Sequence, residues 1–243
     1  MLTNYLKSQI KQHSLEYSNE EVCGFILSNN QIVKARNTSF NKSKNFSIHP
    51  QDYISAENSG NIVAIYHSHP SKNDKFSEFD KLSAQNHNKP YIMYCIKTDT
   101  FHEFYPEGYT NKYIGLKFDY KLSNCFTLIK DFYKNELNIE IYENENIKEL
   151  KDKWYEKNSN LFDEMWKLNT SFFDVNNKDE TKKYDVLCFN YFDMTKSAHH
   201  LGIYLEDDTF LHHPHHQYSK IDILDEQYKR KITNIMRHER FTN

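Results

Sequence analysis

Hydrophobic and polar residues alternate with several different spacings along the first hundred positions, and each spacing predicts an element. Residues 21–27 and 31–36 flank a Ser-Asn-Asn turn, which predicts a β-hairpin. The dipeptide His49-Pro50 indicates the start of a helix. Residues 2–16 have the spacing of an amphipathic helix, whose apolar positions are Leu2, Tyr5, Leu6 and Ile10.

A short buried strand and a helix follow this first region. The run 61–65 (NIVAI) is β-branched and uninterrupted, as is typical of a strand buried on both faces, and His67 and His69 continue it. A helix is then predicted over residues 77–87, beginning at Ser77. Two more strands are predicted around a Thr-Asp-Thr turn, at residues 91–97 and 101–105.

The second half of the chain begins with helical patterns and ends in strands. Residues 125–135 (CFTLIKDFYKN) are helical by period, and residues 147–168 form a longer, charged helical pattern. A polar loop is predicted at residues 176–183. Strands are predicted at 184–191, 200–205, 209–212 and near 232–240.

Between the two halves the periodic pattern lapses, from Pro106 to about Leu116, which indicates a linker. A chain of 243 residues is long enough for two domains that each bury a core. We therefore predict an α+β protein of two domains, at residues 1–108 and 109–243.

Composition narrows the classes of function. The net charge of −3 argues against the broad basic surface of a nucleic-acid-binding protein. No apolar run approaches bilayer length and the first residues lack the apolar core of a signal peptide, so stable membrane insertion is not expected. Four separated cysteines without a C-x-x-C pair argue against a disulfide framework or a zinc ribbon: Cys23, Cys95, Cys125 and Cys188.

Three metal-type ligands are predicted to meet where the buried strand ends. His67 and His69 lie two positions apart, so their side chains leave the strand on the same face. Pro70 biases His69 toward an extended backbone and keeps the pair aligned. Asp80 lies in the first turn of the helix that follows. Three protein ligands leave the fourth position of a zinc ion free for water.

The segment His67-Ser68-His69-Pro70, followed by Ser77 and Asp80, resembles the H-x-H-P-x6-S-x-x-D signature of JAMM (Mov34/MPN/JAB) metalloproteases. Residues 21–24 (EVCG) are similar to the E-x-C-G segment that carries the catalytic glutamate of this family. The resemblance implies a JAMM/MPN-type mixed sheet with helices.

The same resemblance implies roles for individual residues. His67, His69 and Asp80 become zinc ligands, and Glu21 becomes the general acid/base that takes a proton from the attacking water and returns it to the leaving amine. Ser77 would help to hold the tetrahedral intermediate. It has a second, compatible interpretation as the N-cap of the helix that carries Asp80. The implied reaction is hydrolysis of a peptide or isopeptide bond.

A second site is indicated near the start of the second half. Residues 124–133 (NCFTLIKDFY) resemble the nucleophile segment D-C-x-x-L-[VI]-x-x-x-Y of NlpC/P60 cysteine peptidases, with Asn124 where that pattern has Asp. Cys125 begins a predicted helix, where unpaired N–H groups and the helix dipole favour the thiolate. The alternative interpretation of Cys125 alone is a buried core cysteine.

The histidine segments strengthen this resemblance. Residues 200–205 (HLGIYL) resemble the H-V-G-I-Y-L strand of the family, and residues 210–212 (FLH) resemble its closing F-[IV]-H. The resemblance implies a papain-like domain with Cys125 as nucleophile, His200 as base and His212 as the orienting residue. The surrounding segment 212–216 (HHPHH) lacks zinc-ligand spacing and is interpreted as a solvated loop.

Strand register bears on the choice of the third catalytic residue. If residues 206–208 form a three-residue loop, His212 lies opposite Gly202, on the face of His200. A two-residue turn would instead place His213 and His215 on that face, and His213 remains the alternative to His212.

The order of the two domains is similar to that of tail-tip assembly proteins of lambda-like phages. This resemblance implies synthesis in the host cytoplasm, assembly with other tail-tip subunits, and cleavage of peptidoglycan peptides at the bacterial cell wall. The alternative is an assembly protein that docks other tail subunits while one or both sites are inactive. A cellular deubiquitinase-like enzyme would account only for residues 1–105.

Overall fold

The computed structural model describes residues 2–106, 111–148, 160–191 and 197–242. The chain divides into two compact units, Met1–Thr110 and Asn111–Asn243. The boundary predicted between residues 108 and 109 falls in the segment 107–110, outside the described residues. In the described part of the chain, no helix has both the length and the apolar composition needed to cross a membrane.

The N-terminal unit is a five-stranded mixed sheet with helices, as the resemblance to JAMM/MPN domains implies. The strand order is β2-β1-β3-β4-β5, with β3 and β4 parallel and the other neighbours antiparallel. The elements in chain order are α1 (Asn4–Glu16), β1 (Cys23–Leu27), β2 (Ile32–Ala35), α2 (Pro50–Ser59), β3 (Ile62–His69), α3 (Glu78–His87), β4 (Tyr91–Cys95) and β5 (Thr100–Phe104).

Apolar side chains of this sheet leave both faces, because successive residues of a strand point to opposite sides. The cluster that includes α1 contains Leu6, Ile10, Val22, Ile26, Ala64, Tyr66, Ile92 and Tyr94. The cluster that includes α2 and α3 contains Phe25, Leu27, Ala56, Ile62, Ile65, Ala84 and Tyr91. The central strand β3 is therefore covered on both sides, and its histidine end is held in a dry setting.

One apolar position of α1 is not where the spacing predicts. Tyr5 is 60% exposed, whereas Leu6 and Ile10 are buried. The inward side of α1 is completed by His13 and Ser14 rather than by Tyr5. The apolar part of the buried face of α1 is thus smaller than the spacing predicts, because His13 and Ser14 occupy part of that face.

The C-terminal unit is a six-stranded antiparallel sheet in the order β10-β9-β8-β7-β11-β6, with α4 packed against β8. Its elements are α4 (Cys125–Leu137), α5 (Glu145–Lys148), α6 (Leu161–Leu168), β6 (Phe172–Asp174), β7 (Val186–Phe189), β8 (His200–Tyr204), β9 (Thr209–His212), β10 (Lys220–Ile223), α7 (Glu226–Lys231) and β11 (Ile232–His238). Short 3-10 turns lie at Lys178–Glu180 and Glu239–Phe241.

The sequence-based prediction is incomplete in this unit. The helix predicted over residues 147–168 corresponds at its ends to α5 and α6, while residues 149–159 lie outside the described residues. The pattern did not predict β6, β10 or α7, which are only three to six residues long. Elements this short carry few positions from which a period can be read.

A buried ion pair ties β11 to the start of β7. Arg237 donates from Nε to Asp185 Oδ1 at 2.8 Å and from Nη2 to Asp185 Oδ2 at 2.7 Å. Asp185 is fully buried, and Oδ2 also accepts from the backbone N–H of Lys182 at 2.7 Å. The pair is bidentate and well hydrogen-bonded, which is the geometry that compensates for moving two charges out of water.

Candidate functional sites

The end of β3 and the first turn of α3 bring His67, His69 and Asp80 together. Nε2 of His67 lies 3.2 Å from Nε2 of His69, and the Asp80 carboxylate lies 3.5 Å from the former and 3.8 Å from the latter. One candidate ligand atom from each residue lies within 4.8 Å of the others, and all three residues are buried. These three residues are the ones that the sequence pattern predicts as metal ligands.

The state of the two imidazoles suits metal binding. Nδ1 of His69 lies 3.0 Å from the carbonyl oxygen of Asn73. A carbonyl can only accept, so Nδ1 of His69 carries a proton, and in the neutral form of the ring Nε2 has the lone pair. Burial lowers the pKa of His67 to about 4, although Asp80 opposes the shift, so this ring is neutral at pH 7.

The surroundings of His67 are aromatic. Its ring stacks on Phe46 with centroids 4.7 Å apart, and its Nδ1 has no hydrogen-bond partner among the described residues. Two imidazole nitrogens and one carboxylate form a donor set that zinc accepts, and three such ligands leave a position open. The residues present therefore fit a zinc ion.

Glu21 lies beside the three candidate ligands because of the register between β1 and β3. Cys23 pairs with His67, so two residues further along the antiparallel ladder Glu21 faces His69. Glu21 Oε1 lies 3.7 Å from His69 Nε2, and the side chain is buried. Cys23 is also buried, and burial raises its pKa to about 12, so at pH 7 it is a protonated thiol.

Ser77 is the N-cap of α3 and is hydrogen-bonded to Asp80. The Ser77 hydroxyl donates to Asp80 Oδ2 at 2.7 Å and accepts from the Asp80 backbone N–H at 3.1 Å. The Ser77 backbone N–H also donates to Asp80 Oδ2, at 2.9 Å, which completes a capping box. The capping interpretation of Ser77 is confirmed, and the cap holds the carboxylate that is predicted to bind metal.

In the C-terminal unit, Cys125 is the first residue of α4 and Asn124 is its N-cap. The Asn124 side-chain oxygen accepts from the backbone N–H groups of Phe126 and Thr127, at 2.9 and 3.1 Å. Its Nδ2 donates to the carbonyl oxygen of Tyr120 at 2.7 Å. An aspartate could provide the same cap but not this donation, so Asn124 preserves local support for the helix start while remaining neutral.

The protonation state of Cys125 differs from the expectation. The helix start was predicted to favour thiolate, but burial raises the pKa of the Cys125 thiol to about 11 despite opposing backbone N–H groups of Leu201 and Phe126. Desolvation of a charged sulfur outweighs the favourable dipole here. In the free protein at pH 7 this cysteine is therefore a thiol.

His200 and His212 meet across the β8–β9 hairpin. Gly202 pairs with His212, and Leu205 N–H donates to Thr209 O at 2.9 Å, as the three-residue loop predicts. His200 Nε2 lies 2.9 Å from His212 Nδ1. Gly202 is required for this approach, because an added Cβ would lie 3.4 Å from His212 Cβ and 2.8 Å from Phe210 Cδ2.

Both histidines are neutral at pH 7. Burial lowers the pKa of His200 well below 6.5, and the neighbouring His212, His213 and His215 add to that shift. Burial also lowers the pKa of His212, against the opposing effect of Asp222. A neutral His200 is able to accept the proton of a thiol, which is the state that a general base requires.

The alternative third residue, His213, lies elsewhere. Its Nε2 lies 3.2 Å from the carbonyl oxygen of Gln217, and its ring packs edge-on against Phe118. His213 is buried, so the prediction of a solvated loop is wrong for this residue, although His215 and His216 are exposed.

The sequence-based prediction missed three residues around His212. Asp222 Oδ2 lies 3.1 Å from His212 Nε2, and it also accepts from Tyr228 at 2.8 Å and from Lys220 at 2.9 Å. Burial alone would raise the pKa of Asp222, but hydrogen bonds from His212, Lys220 and Tyr228 hold it well below its usual range. The alternation of apolar and charged residues in 220–223 (KIDI) was the available signal for β10.

Comparison with known proteins finds a matching family model for each unit. The model for prokaryotic homologs of the JAB domain matches residues 3–106. The model for the NlpC/P60 family matches residues 113–238. The order of the two domains is the one that the motifs predict.

Two phage proteins are similar to most of the chain. Tail tip assembly protein K of Escherichia phage lambda is 28% identical over 191 residues, which cover 78% of this chain and 88% of that protein. Tail tip assembly protein K of Escherichia phage N15 is 22% identical over 213 residues, which cover 84% of this chain and 82% of that protein.

Solved structures show more distant likeness. An NlpC/P60 family protein from Bacillus cereus has a TM-score of 0.37 at 13% identity, covering 93% of this chain and 66% of that one. Protein DSY2949 from Desulfitobacterium hafniense has a TM-score of 0.34 at 17% identity, covering 42% of this chain and 88% of that one. From its matched residues 113–238, the chain belongs to the NlpC/P60 family, with a domain matching the prokaryotic JAB model before it.

Proposed function

We propose that this chain is a phage tail-tip protein with two hydrolytic sites, in domains 1–108 and 109–243. The cysteine site cleaves amide bonds of peptidoglycan stem peptides, and the zinc site cleaves a peptide or isopeptide bond. Both act during tail assembly or penetration of the cell wall, with other tail-tip subunits as partners. The observation that carries the proposal is the 2.9 Å contact between His200 Nε2 and His212 Nδ1, within the segment that matches the NlpC/P60 family.

The cysteine chemistry uses the neutral groups described above. As the sulfur of Cys125 attacks the amide carbon, its proton passes to His200, and a thioester replaces the amide when the C–N bond breaks. The leaving amine takes that proton from His200. Water then hydrolyses the thioester and returns the thiol. Backbone N–H groups of Cys125 and Leu201 face the sulfur and stabilise negative charge on it.

The zinc chemistry uses the first unit. His67, His69 and Asp80 would hold a zinc ion, which when bound would act as a Lewis acid and lower the pKa of water to about 7. Glu21, 3.7 Å from His69, takes a proton from the attacking water and returns it to the leaving amine. We assign two roles to Ser77. Its hydroxyl holds the Asp80 ligand by a hydrogen bond, and it stabilises the intermediate when it exchanges that bond for one to the substrate oxygen.

Incubation with purified bacterial sacculi tests the cysteine half. The wild-type chain should release soluble peptides, and Cys125→Ala should release none. Cys188→Ala, which alters a buried thiol of the same unit, is the matched control and should retain activity. Equal release by wild type and Cys125→Ala contradicts this half of the proposal.

Metal uptake tests the zinc half. The chain stripped of metal should bind one equivalent of zinc, and His67→Ala should abolish that binding. Substitution of His87, which hydrogen-bonds within α3 and is not part of the ligand cluster, is the control. Failure to bind zinc at stoichiometric concentration contradicts this half.

A purely structural role is the second candidate, and the names of the two phage relatives, which describe tail tip assembly, favour it. Complementation of a phage lacking this protein with a Glu21→Ala, Cys125→Ala double variant separates the two functions. Normal virions that infect normally would support the structural role. Virions that assemble but do not infect would support hydrolysis at the wall.

A further inference from the structure

We propose that Asp222 is a positioning residue of the cysteine site: through His212 it fixes the proton arrangement that leaves Nδ1 of His200 unprotonated and able to act as the base. This inference rests on the cysteine chemistry proposed above. It adds a fourth member to the series Cys125, His200 and His212.

Asp222 lies on the strand next to His212 and directs its carboxylate at the imidazole. Strand β10 pairs with β9 so that Lys220 lies opposite His212, and Asp222 follows two residues later on the same face. Asp222 Oδ2 lies 3.1 Å from His212 Nε2. His212 is 1% exposed, so water does not compete with the carboxylate for this nitrogen.

The carboxylate is held in its ionised form by donors from two elements. Lys220 Nζ lies 2.9 Å from Oδ2, and the Tyr228 hydroxyl on α7 donates to the same oxygen at 2.8 Å. The groups that face Asp222 are thus one cation, one phenol and one imidazole. Each of them can donate a hydrogen bond to a carboxylate, and an ionised carboxylate can only accept.

The proton positions then follow from donor and acceptor chemistry. Because Asp222 accepts, Nε2 of His212 carries its proton, and Nδ1 of a neutral His212 has the lone pair. Nδ1 of His212 is 2.9 Å from Nε2 of His200, so His200 must donate from Nε2. A neutral His200 that is protonated at Nε2 has its lone pair at Nδ1. That nitrogen is the acceptor for the proton of Cys125.

The opposite arrangement is inactive. If Nδ1 of His212 carried the proton, it would donate to Nε2 of His200, and the proton of His200 would occupy Nδ1. The base would then have no lone pair available for the thiol. Replacement of Asp222 by Asn permits this state, since an amide N–H can donate to Nε2 of His212. In the triad of serine proteases the same kind of substitution produces the wrong tautomer.

Long-range proton–nitrogen NMR on the full chain with labelled histidine reads each ring nitrogen directly and needs no substrate. The wild type should show His200 and His212 both protonated at Nε2. Asp222→Asn should shift His212 to the Nδ1-protonated form or to a mixture. It should also slow alkylation of Cys125 by iodoacetamide at pH 7.5 by about tenfold or more.

Two variants serve as controls. Tyr228→Phe removes one donor but keeps the carboxylate, so both tautomers should stay as in the wild type. Asp174→Asn removes a carboxylate of the same unit that contacts Asn234 rather than a histidine, and it should change neither readout. His200→Gln and His212→Gln assign the two sets of signals.

An Nδ1-protonated His212 in the wild type overturns the inference, and so does a tautomer that is unchanged in a folded Asp222→Asn variant. The wild-type spectrum decides even if the variant fails to fold. The expected tautomers without any release of stem peptides would contradict the proposed substrate but leave the role of Asp222 intact. Release of stem peptides by a wild type whose His212 is protonated at Nδ1 would support the proposed substrate but contradict the role of Asp222.

Discussion

Ser77 and Asp80 bond to each other in both directions: the serine hydroxyl donates to the carboxylate at 2.7 Å and accepts from the aspartate N–H at 3.1 Å. The start of α3 and the orientation of a candidate zinc ligand therefore depend on the same pair. Removal of the hydroxyl should affect helix stability and metal affinity together.

Ser77→Ala should weaken zinc binding by roughly 10–100-fold, because outer hydrogen bonds orient metal ligands. It should also reduce the free energy of unfolding by about 1 kcal/mol through loss of the cap. Zinc titration and chemical denaturation measure the two effects. Thr3→Ala, which removes the N-cap of α1, should reduce stability without changing zinc affinity. Unchanged zinc affinity in Ser77→Ala would leave only the catalytic role of Ser77.

The raised pKa of Cys125 predicts how its rate of alkylation depends on pH. Burial raises this pKa to about 11. Below pH 11, each increase of one pH unit therefore raises the thiolate fraction about tenfold. Alkylation by iodoacetamide should therefore accelerate steadily between pH 7 and 9.5. Cys125→Ser should lose this reaction, because Cys125 is 9% exposed whereas the other three cysteines are at most 1% exposed. A rate that is already at its plateau at pH 7 would show a thiolate–imidazolium pair in the free protein.

The ion pair of Arg237 and Asp185 predicts a large effect on stability. Arg237→Leu leaves a fully buried carboxylate without its cation, which typically costs about 3–5 kcal/mol. Both tryptophans, Trp154 and Trp166, belong to the C-terminal unit, so their fluorescence during denaturation follows that unit. Lys183→Met breaks an exposed pair with Glu206 and should cost less than about 1 kcal/mol. Similar losses in both variants would contradict the prediction.

Gly202 predicts a link between packing and reactivity. In Gly202→Ala the new methyl group would lie 2.8 Å from Phe210 Cδ2 and 3.3 Å from the backbone oxygen of Leu211, so the Phe210 ring or the strand that carries His212 must shift. Overpacking of this kind costs about 1–3 kcal/mol. We expect slower alkylation of Cys125 as His200 and His212 separate. Gly115→Ala meets no atom within 4 Å; its φ of +75° strains the alanine, so this variant should lose stability as well but leave the alkylation rate unchanged.

Much of this architecture is predictable from the chain alone, because it depends on local rules. The two-residue spacing of His67 and His69 placed both imidazoles on one strand face, and the helix start after them placed Asp80 nearby. A three-residue loop at 206–208, one of the two turn lengths considered and the one that agrees with the family resemblance, gives the register that joins His200 to His212. Each of these relationships spans a short stretch of chain.

The remainder depends on contacts between distant segments or on burial, which a local pattern does not contain. Asp222 is ten residues from His212 on a four-residue strand, and the pattern did not predict β10. Tyr5 has the right spacing to face the core, yet His13 and Ser14 fill that side of α1. The protonation of Cys125 depends on how deeply α4 is buried, and this depth outweighed the effect of the helix start.

Mass spectrometry of muropeptides from sacculi tests the central claim most directly. Sacculi treated with the wild-type chain should yield stem peptides with newly formed amino termini, and so should sacculi treated with Glu21→Gln, which alters only the zinc site. Cys125→Ala and His200→Gln should yield none. Identical products from Cys125→Ala and the wild type would contradict the claim that Cys125 is the nucleophile of a wall-cleaving site.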